Sequence, residues 1–384
     1  MRKIGVVTVA RSDYGIYLPI LKKIQSDCTL QLQLFVGGMH LSKRHGLTIQ
    51  SIENDGFPIV DRINMQIESD DPESIANSIG LGVIGFSKSF VRNKPDIIVV
   101  LGDRFEMFSA ALAALPLNIP VAHIHGGEIT RGAIDDALRH SMTKLAHLHF
   151  VSTETYARRV KQLGEETWRV IVSGAPSLDN LDNLDFLPRK ELEKSIGFDL
   201  DRPSLLVTFH PVTLEREQTE SQIDAVLEAL DRSQYACIFT MPNADTNNEK
   251  IVNRILSFVA THKNSKLVDN LGSTRYFSLM KYVTAMIGNS SSGLIEAPSF
   301  KLPVVNIGIR QEGRVRAANV IDVECEPQKI LSAIKKASST DFRNSLENLQ
   351  NPYKQPGASD IIVDKLKSIK IDDQLLIKIF SDIV

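Results

Sequence analysis

The stretch His123-Ile124-His125-Gly126-Gly127-Glu128, followed by Ile134-Asp135-Asp136, gathers three carboxylates and two imidazoles in a short span. Its two glycines permit a sharp turn and a close approach of ligand to backbone. Asp135 and Asp136 open a predicted helix, where a carboxylate is favoured by the helix dipole. Capping by one Asp accounts for part of this group and not for all of it. His123 and His125 would project to the same side of an extended strand, as a metal pair does. No third ligand is well placed, so no metal is expected there. A second cluster, Gly102-Asp103-Arg104-Phe105-Glu106, sets an Asp beside an Arg at a strand end, suited to acid/base work or to an ion pair. A third, Ala10-Arg11-Ser12-Asp13-Tyr14, joins an Arg to the backbone N–H groups of a helix start, which makes an anion site. The alternative is a plain cap by Ser12 or Asp13. No Gly-x-Gly-x-x-Gly follows the first strand, so the dinucleotide fingerprint is absent.

The second half carries a different chemistry. Phe209-His210-Pro211-Val212-Thr213 places a histidine at a strand end, where it suits acid/base or phosphate work. Ile287-Gly288-Asn289-Ser290-Ser291-Ser292-Gly293-Leu294-Ile295-Glu296 reads as strand, Gly/Ser turn and helix start. Backbone N–H groups and hydroxyls of such a turn can cradle a diphosphate, and Glu296 is placed for ribose hydroxyls. Capping by Ser is the structural alternative. The P-loop lysine is missing, which argues against ATP hydrolysis. Gly308-Ile309-Arg310-Gln311-Glu312-Gly313-Arg314 adds Arg310 and Arg314 near the same strand ends. Carboxylates in the first half and a phosphate cradle in the second suggest a nucleotide-linked substrate, held by the second and processed by the first.

Elements that could position these clusters recur with one rhythm: a short apolar run, a turn, then a longer amphipathic stretch. Strands are predicted at Ile4–Val9, Leu30–Val36, Asp96–Leu101, Pro120–Ile124, His149–Ser152 and Val170–Ser173. Helices are predicted at about 14–24, 73–91 (opened by Pro72), 105–115 and 133–146. After a charged, poorly periodic stretch at 182–203, strands are predicted at Leu205–Phe209, Ala236–Met241, Ala285–Ile287 and Pro303–Ile307. Helices then follow at 217–230, 248–259, 275–282 and 328–337. Near-continuous apolar strands alternating with helices imply parallel sheets covered on both faces. The fold class is α/β, with two halves joined near 180–200 and a ligand cleft expected between them.

The chain has 384 residues, 44 Lys+Arg against 46 Asp+Glu, a balance that disfavours nucleic-acid binding. Cys28, Cys237 and Cys325 are few and far apart, so neither a disulfide framework nor a zinc site is read, and a reducing, cytoplasmic compartment is expected. No window is long and apolar enough for a membrane span, and no membrane partner is expected.

The motifs Ala-Arg11-Ser-Asp-Tyr, Gly-Asp103-Arg104-Phe, His-Ile-His-Gly-Gly-Glu128, Ile-Asp135-Asp136, His210-Pro-Val-Thr, Pro242-Asn243-Ala-Asp245 and Gly-Asn-Ser290-Ser291-Ser-Gly, taken in order, resemble the hydrolysing UDP-N-acetylglucosamine 2-epimerases. The likeness covers the chain to about residue 368. It implies two Rossmann-like domains of the glycosyltransferase-B type, at 1–185 and 186–365, and a helical tail at 366–384 that crosses back. Some members of this group read His-Ile-Glu-Gly-Gly-Glu, whereas His125 stands at the middle position here. The non-hydrolysing relatives carry His-x-Glu-Ala-Gly-Leu-Arg-Thr-Gly and His-x-Arg-Glu, which this chain lacks. The resemblance implies conversion of UDP-N-acetylglucosamine to N-acetylmannosamine and UDP through a 2-acetamidoglycal, without a cofactor. A sister group uses UDP-2,4-diacetamido-2,4,6-trideoxyglucose. Asp103, Glu128, Asp135, Asp136 and His210 are the catalytic candidates, the neighbouring carboxylates raising one another's pKa. Arg11, Arg104, Asn243, Asp245, Ser290, Ser291, Glu296, Arg310 and Arg314 are the substrate-binding candidates. A UDP-sugar is the expected partner, with a homo-oligomer, dimer or tetramer, as the assembly.

Overall fold

A computed structural model describes residues 1–43, 46–65, 67, 71–131, 133–182, 184–212, 215–242, 248–268 and 271–382. The chain forms two units, each described by itself. The first comprises residues 1–128, 135–182 and 353–384, and the second residues 129–134 and 183–352.

The first unit holds β1 (Arg2–Thr8), β2 (Leu30–Gly37), β3 (Ile59–Ile63), β4 (Ile97–Leu101), β5 (Val121–Ile124), β6 (Leu148–Val151) and β7 (Val170–Val172). They form one parallel sheet in the order β3-β2-β1-β4-β5-β6-β7. Its central strands are apolar on both faces: every residue of β4 and β5 is buried, because helices cover both sides. The strand order reverses between β1 and β4, and at such a reversal the carboxyl ends of the strands open a crevice.

The second unit holds β8 (Ser204–Thr208), β9 (Ala236–Thr240), β10 (Ser265–Val268), β11 (Ala285–Gly288), β12 (Val304–Ile307) and β13 (Val320–Val323), in the order β10-β9-β8-β11-β12-β13. Its reversal falls between β8 and β11. The α/β class and the two parallel sheets are as expected.

Three strands, β3, β10 and β13, were not expected. The charged stretch at 182–203 also holds an unexpected helix, Arg189–Ile196, which buries Leu192 and Ile196. The boundary expected at 365 differs too. From Tyr353 the chain belongs to the first unit, and the helix Ala358–Ser368 packs on the helix Arg11–Ser26. Arg2 donates to the carbonyls of Leu366 (2.6 Å) and Lys367 (2.8 Å). Beyond it the tail is mostly non-helical, with one short turn of helix at Asp373–Leu376. Among the described residues no helix is long and apolar enough to cross a membrane.

Candidate active site

In the first unit the chemistry gathers on the loops that leave β4 and β5. Gly102 has φ +76° and turns the chain out of β4, so Asp103 and Arg104 precede the helix Phe105–Ala114. The loop after β5 is tighter. His125 has φ +64° and Gly127 φ +74°. A Cβ on Gly127 would lie 2.6 Å from the Tyr156 carbonyl oxygen and 2.9 Å from Val160 Cγ2, so only glycine fits. This turn delivers Glu128, 2% exposed, into the interior.

Asp103 and Glu128 meet on a residue the sequence did not single out. Arg139, on the helix Ile134–Leu145, is 2% exposed. One guanidinium nitrogen donates to Asp103; the other lies 3.3 Å from Glu128 Oε2 and donates to the His125 carbonyl at 3.0 Å. Burial opposes its charge, but Asp103 and Glu128 outweigh that and hold its pKa above the ordinary value. The second Glu128 oxygen, Oε1, accepts from His125 Nδ1 at 2.7 Å and from Ser152 Oγ at 3.2 Å.

The two histidines do not form the expected pair on an extended strand. The positive φ at His125 turns its ring onto Glu128, while His123 Nε2 donates to the Gly102 carbonyl at 2.7 Å. Burial pushes His123 down to about 3, so it is neutral and pins the peptide next to Asp103. Asp135 and Asp136 stand half-buried in the first turn of their helix. Asp135 adds to the field on Arg139, and Asp136 lies 3.7 Å from His140 Nε2 one turn on.

Asp13, not Ser12, closes the turn after β1. Its carboxylate accepts from the Ala10 N–H at 2.8 Å, the Val9 N–H at 3.2 Å and the Thr8 hydroxyl. Burial pushes it up to about 7, against those hydrogen bonds. Thr8 Oγ1 also lies 3.0 Å from His40 Nε2, and burial pushes His40 down to about 4. Arg11 stands exposed at the first position of the helix. Arg104 pairs with the fully buried Glu106 at 3.1 Å, so the ion-pair reading of this cluster applies to Arg104 and Glu106.

In the second unit, β8 and β11 end in a reciprocal pair. The His210 N–H donates to Asn289 Oδ1 at 2.7 Å, and Asn289 Nδ2 donates to the His210 carbonyl at 2.8 Å. Gly288, φ +134°, allows this approach, since a Cβ there would collide with the Thr208 carbonyl. Gln311 Nε2 (2.8 Å) and Arg310 (3.3 Å) both donate to the Asn289 carbonyl. Burial, then Arg310, hold His210 well below its usual pKa, so at neutral pH it is no imidazolium acid. Ser290 and Ser291 form the turn, and Ser292 Oγ donates to Glu296 Oε2 at 2.6 Å. Arg314 turns onto the chain's own 129–130 segment, with 2.7 Å to the Ile129 carbonyl and 3.0 Å to Thr130 Oγ1. Asn243 and Asp245 lie outside the described residues.

Carboxylates on the loops after β4 and β5 of one parallel sheet, and a Ser/Arg turn after β11 and β12 of the other, fit an α/β enzyme for an anionic substrate. Residues 22–367 match the family described as UDP-N-acetylglucosamine 2-epimerase, and the chain belongs to this family, in its hydrolysing UDP-sugar branch. A Campylobacter jejuni protein named GDP/UDP-N,N′-diacetylbacillosamine 2-epimerase (hydrolyzing) is 43% identical over 100% of this chain and 99% of its own length. An Escherichia coli protein named polysialic acid biosynthesis protein P7 is 38% identical over 96% of this chain and 94% of its own. The fold matches a Neisseria meningitidis UDP-GlcNAc 2-epimerase solved with UDP-GlcNAc, with TM-score 0.83, 21% identity and coverage of 95% and 99%.

Proposed function

We propose that the protein hydrolyses a UDP-linked 2-acetamido sugar with inversion at C2. The observation that carries this reading is the placement of Asp103 and Glu128 on one buried arginine, on the loops that follow β4 and β5 of the first sheet. A carboxylate removes the C2 proton while the C1–O bond breaks and UDP leaves, giving a 2-acetamidoglycal. Water then adds at C1, and a proton returns to the opposite face of C2. Ser290, Ser291 and Arg310 are assigned to the nucleotide diphosphate, Glu296 to the ribose hydroxyls, and Arg11 to charge neutralisation as the diphosphate departs. Asp135 and Asp136 are further candidates for the second proton.

The sequence reading placed UDP-N-acetylglucosamine first and the trideoxy sugar second. The Campylobacter jejuni relative favours the trideoxy sugar, because N,N′-diacetylbacillosamine is the 2,4-diacetamido-2,4,6-trideoxy hexose. We therefore assign UDP-2,4-diacetamido-2,4,6-trideoxyglucose as substrate, with a product that feeds legionaminic acid synthesis. The relative named for polysialic acid biosynthesis favours the second reading, UDP-N-acetylglucosamine to N-acetylmannosamine for sialic acid. We place the enzyme in the cytoplasm, where its three cysteines stay thiols.

Parallel incubations with both UDP-sugars, and with a GDP-linked trideoxy sugar, followed by NMR in D₂O test this. The expected outcome is nucleotide release with a free 2-epimeric sugar carrying deuterium at C2, fastest from the UDP-trideoxy sugar. Product without deuterium at C2 would exclude C2 deprotonation. A faster reaction of UDP-N-acetylglucosamine would reverse the substrate order.

A further inference from the structure

His125 holds a backbone conformation that favours glycine. Its φ is +64°, and its peptide groups are pinned on both sides: the N–H donates to the Phe150 carbonyl at 2.9 Å, and the carbonyl accepts from Arg139 at 3.0 Å. Glycine would make this bend without strain, and Gly126 and Gly127 follow directly. The turn alone gives no reason for a ring at this position, and strain of this kind gathers at functional sites.

The residue is 5% exposed, and its ring is held at one nitrogen. Nδ1 lies 2.7 Å from Glu128 Oε1, so against an ionised carboxylate it is Nδ1 that carries the proton. Nε2 has no hydrogen-bond partner among the described residues. The unpartnered Nδ1 atoms of His123 and His149 are sealed in the interior, whereas Nε2 of His125 is not. Glu128 is placed differently. His125, Ser152 and Arg139 already sit on its two oxygens, and it is 2% exposed. A cation beside a carboxylate favours its ionised form, so a proton taken up there works against Arg139. Asp103 shares the same cation. An imidazole takes up and gives up a proton near neutral pH.

Standing on the C2 chemistry proposed above, we propose that Glu128 acts through His125, whose Nε2 is the atom that takes the C2 proton. The C2–H bond breaks, its electron pair becomes the C1=C2 bond, and the C1–O pair leaves with UDP. The proton forms an Nε2–H bond. Glu128 faces the resulting imidazolium at Nδ1, and the imidazolium gives its proton to water before the next turnover. Glu128 thus fixes the tautomer and balances the charge without itself being protonated.

His125→Asn separates this from a purely structural role. Asparagine tolerates positive φ, and its amide N–H can take the place of Nδ1 on Glu128, but it has no basic nitrogen. Nucleotide release from whichever UDP-sugar the wild type turns over faster is expected to fall about 10²–10⁴-fold, with UDP affinity within about twofold. His125→Gly suits the backbone and leaves room for a free imidazole. Imidazoles added to the buffer should restore its turnover, the more basic ones faster. Because the pair acts as a unit, adding Glu128→Gln to His125→Asn should cost little more. His125→Asn at wild-type turnover would overturn the proposal, and Glu128 would then take the proton directly. So would a His125→Gly that no imidazole revives, or losses that multiply in the double variant. A wild type that releases no nucleotide would overturn the hydrolase reading itself, and this proposal with it.

Discussion

Arg139 changes what Asp103 and Glu128 can do. The sequence suggested carboxylates that raise one another's pKa. The fold instead puts one cation between the two, so neither anion faces the other uncompensated. Both carboxylates were legible because each follows an apolar strand with a turn residue next to it. Arg139 was not, because an arginine inside an amphipathic helix reads as solvent-facing. Its burial depends on the path of the Gly126-Gly127 turn, which no local pattern records. Asp103→Asn and Glu128→Gln keep shape and lose the proton acceptor. General acid/base groups of this kind typically contribute about 10²–10⁴-fold. Turnover should fall by that order in each variant while UDP affinity, read by calorimetry, stays within about twofold, because UDP is assigned to the second unit. Equal loss of UDP affinity and turnover would make these groups binding residues instead.

At the scale of elements, the central strands were readable, and of the four edge strands only the uncharged β7, Val-Ile-Val, was. β1 from Ile4 onward, β4, β5, β8 and β11 are buried on both faces and read as predominantly apolar runs. β3, β10 and β13 are all edge strands, half-buried, and each carries charge: Ile-Val-Asp-Arg-Ile, Ser-Lys-Leu-Val and Val-Ile-Asp-Val. Charge on an edge blocks pairing with other chains and also erases the apolar signal. The turns between strand and helix were legible where glycine is obligatory. Gly127→Ala tests that reading, since the alanine meets both a positive φ and the Tyr156 carbonyl. A strained backbone of this kind costs about 1–3 kcal/mol. The expected result is a chemical-denaturation midpoint lowered to match, together with reduced turnover from a displaced Glu128. An unchanged midpoint would mean that the loop relaxes without strain.

At the scale of the whole molecule, the chain returns to the first unit at Tyr353, and the segment from Gln374 to Lys378 is built into that unit. Arg169 is the largest fully buried side chain among the described residues, and it donates to the carbonyls of Gln374 (2.7 Å), Leu375 (2.8 Å) and Ile377 (3.1 Å). Lys378 reaches the carbonyls of Lys144 (2.9 Å) and Ala146 (2.6 Å), at the end of the helix Ile134–Leu145, and lies 2.8 Å from Glu165. That helix carries Arg139, so the tail braces the element that holds the two carboxylates. The sequence placed a tail here and missed its role, because its partners lie some 200 positions back. The only tryptophan, Trp168, reports on this region. Its ring stacks on Arg169 at 4.2 Å, and its Nε1 donates to Glu166 at 3.0 Å. A chain ending at residue 370 leaves Arg169 without those carbonyls and removes the buried Leu375. Arg169 keeps Glu166 at 2.7 Å, but hydrogen bonds to a charged group are worth about 1.5–3 kcal/mol each, and three are lost together with the burial of Leu375. Lys378→Met is milder, since Glu165 keeps Lys144 (2.6 Å) and His149 (3.0 Å), and about 1–3 kcal/mol is expected. Urea titration followed by Trp168 emission should rank wild type above Lys378→Met and Lys378→Met above the truncated chain. The truncated chain should also emit to the red before any urea is added. Coincident curves for all three would show that the tail carries no stability and that Arg169 is satisfied without it.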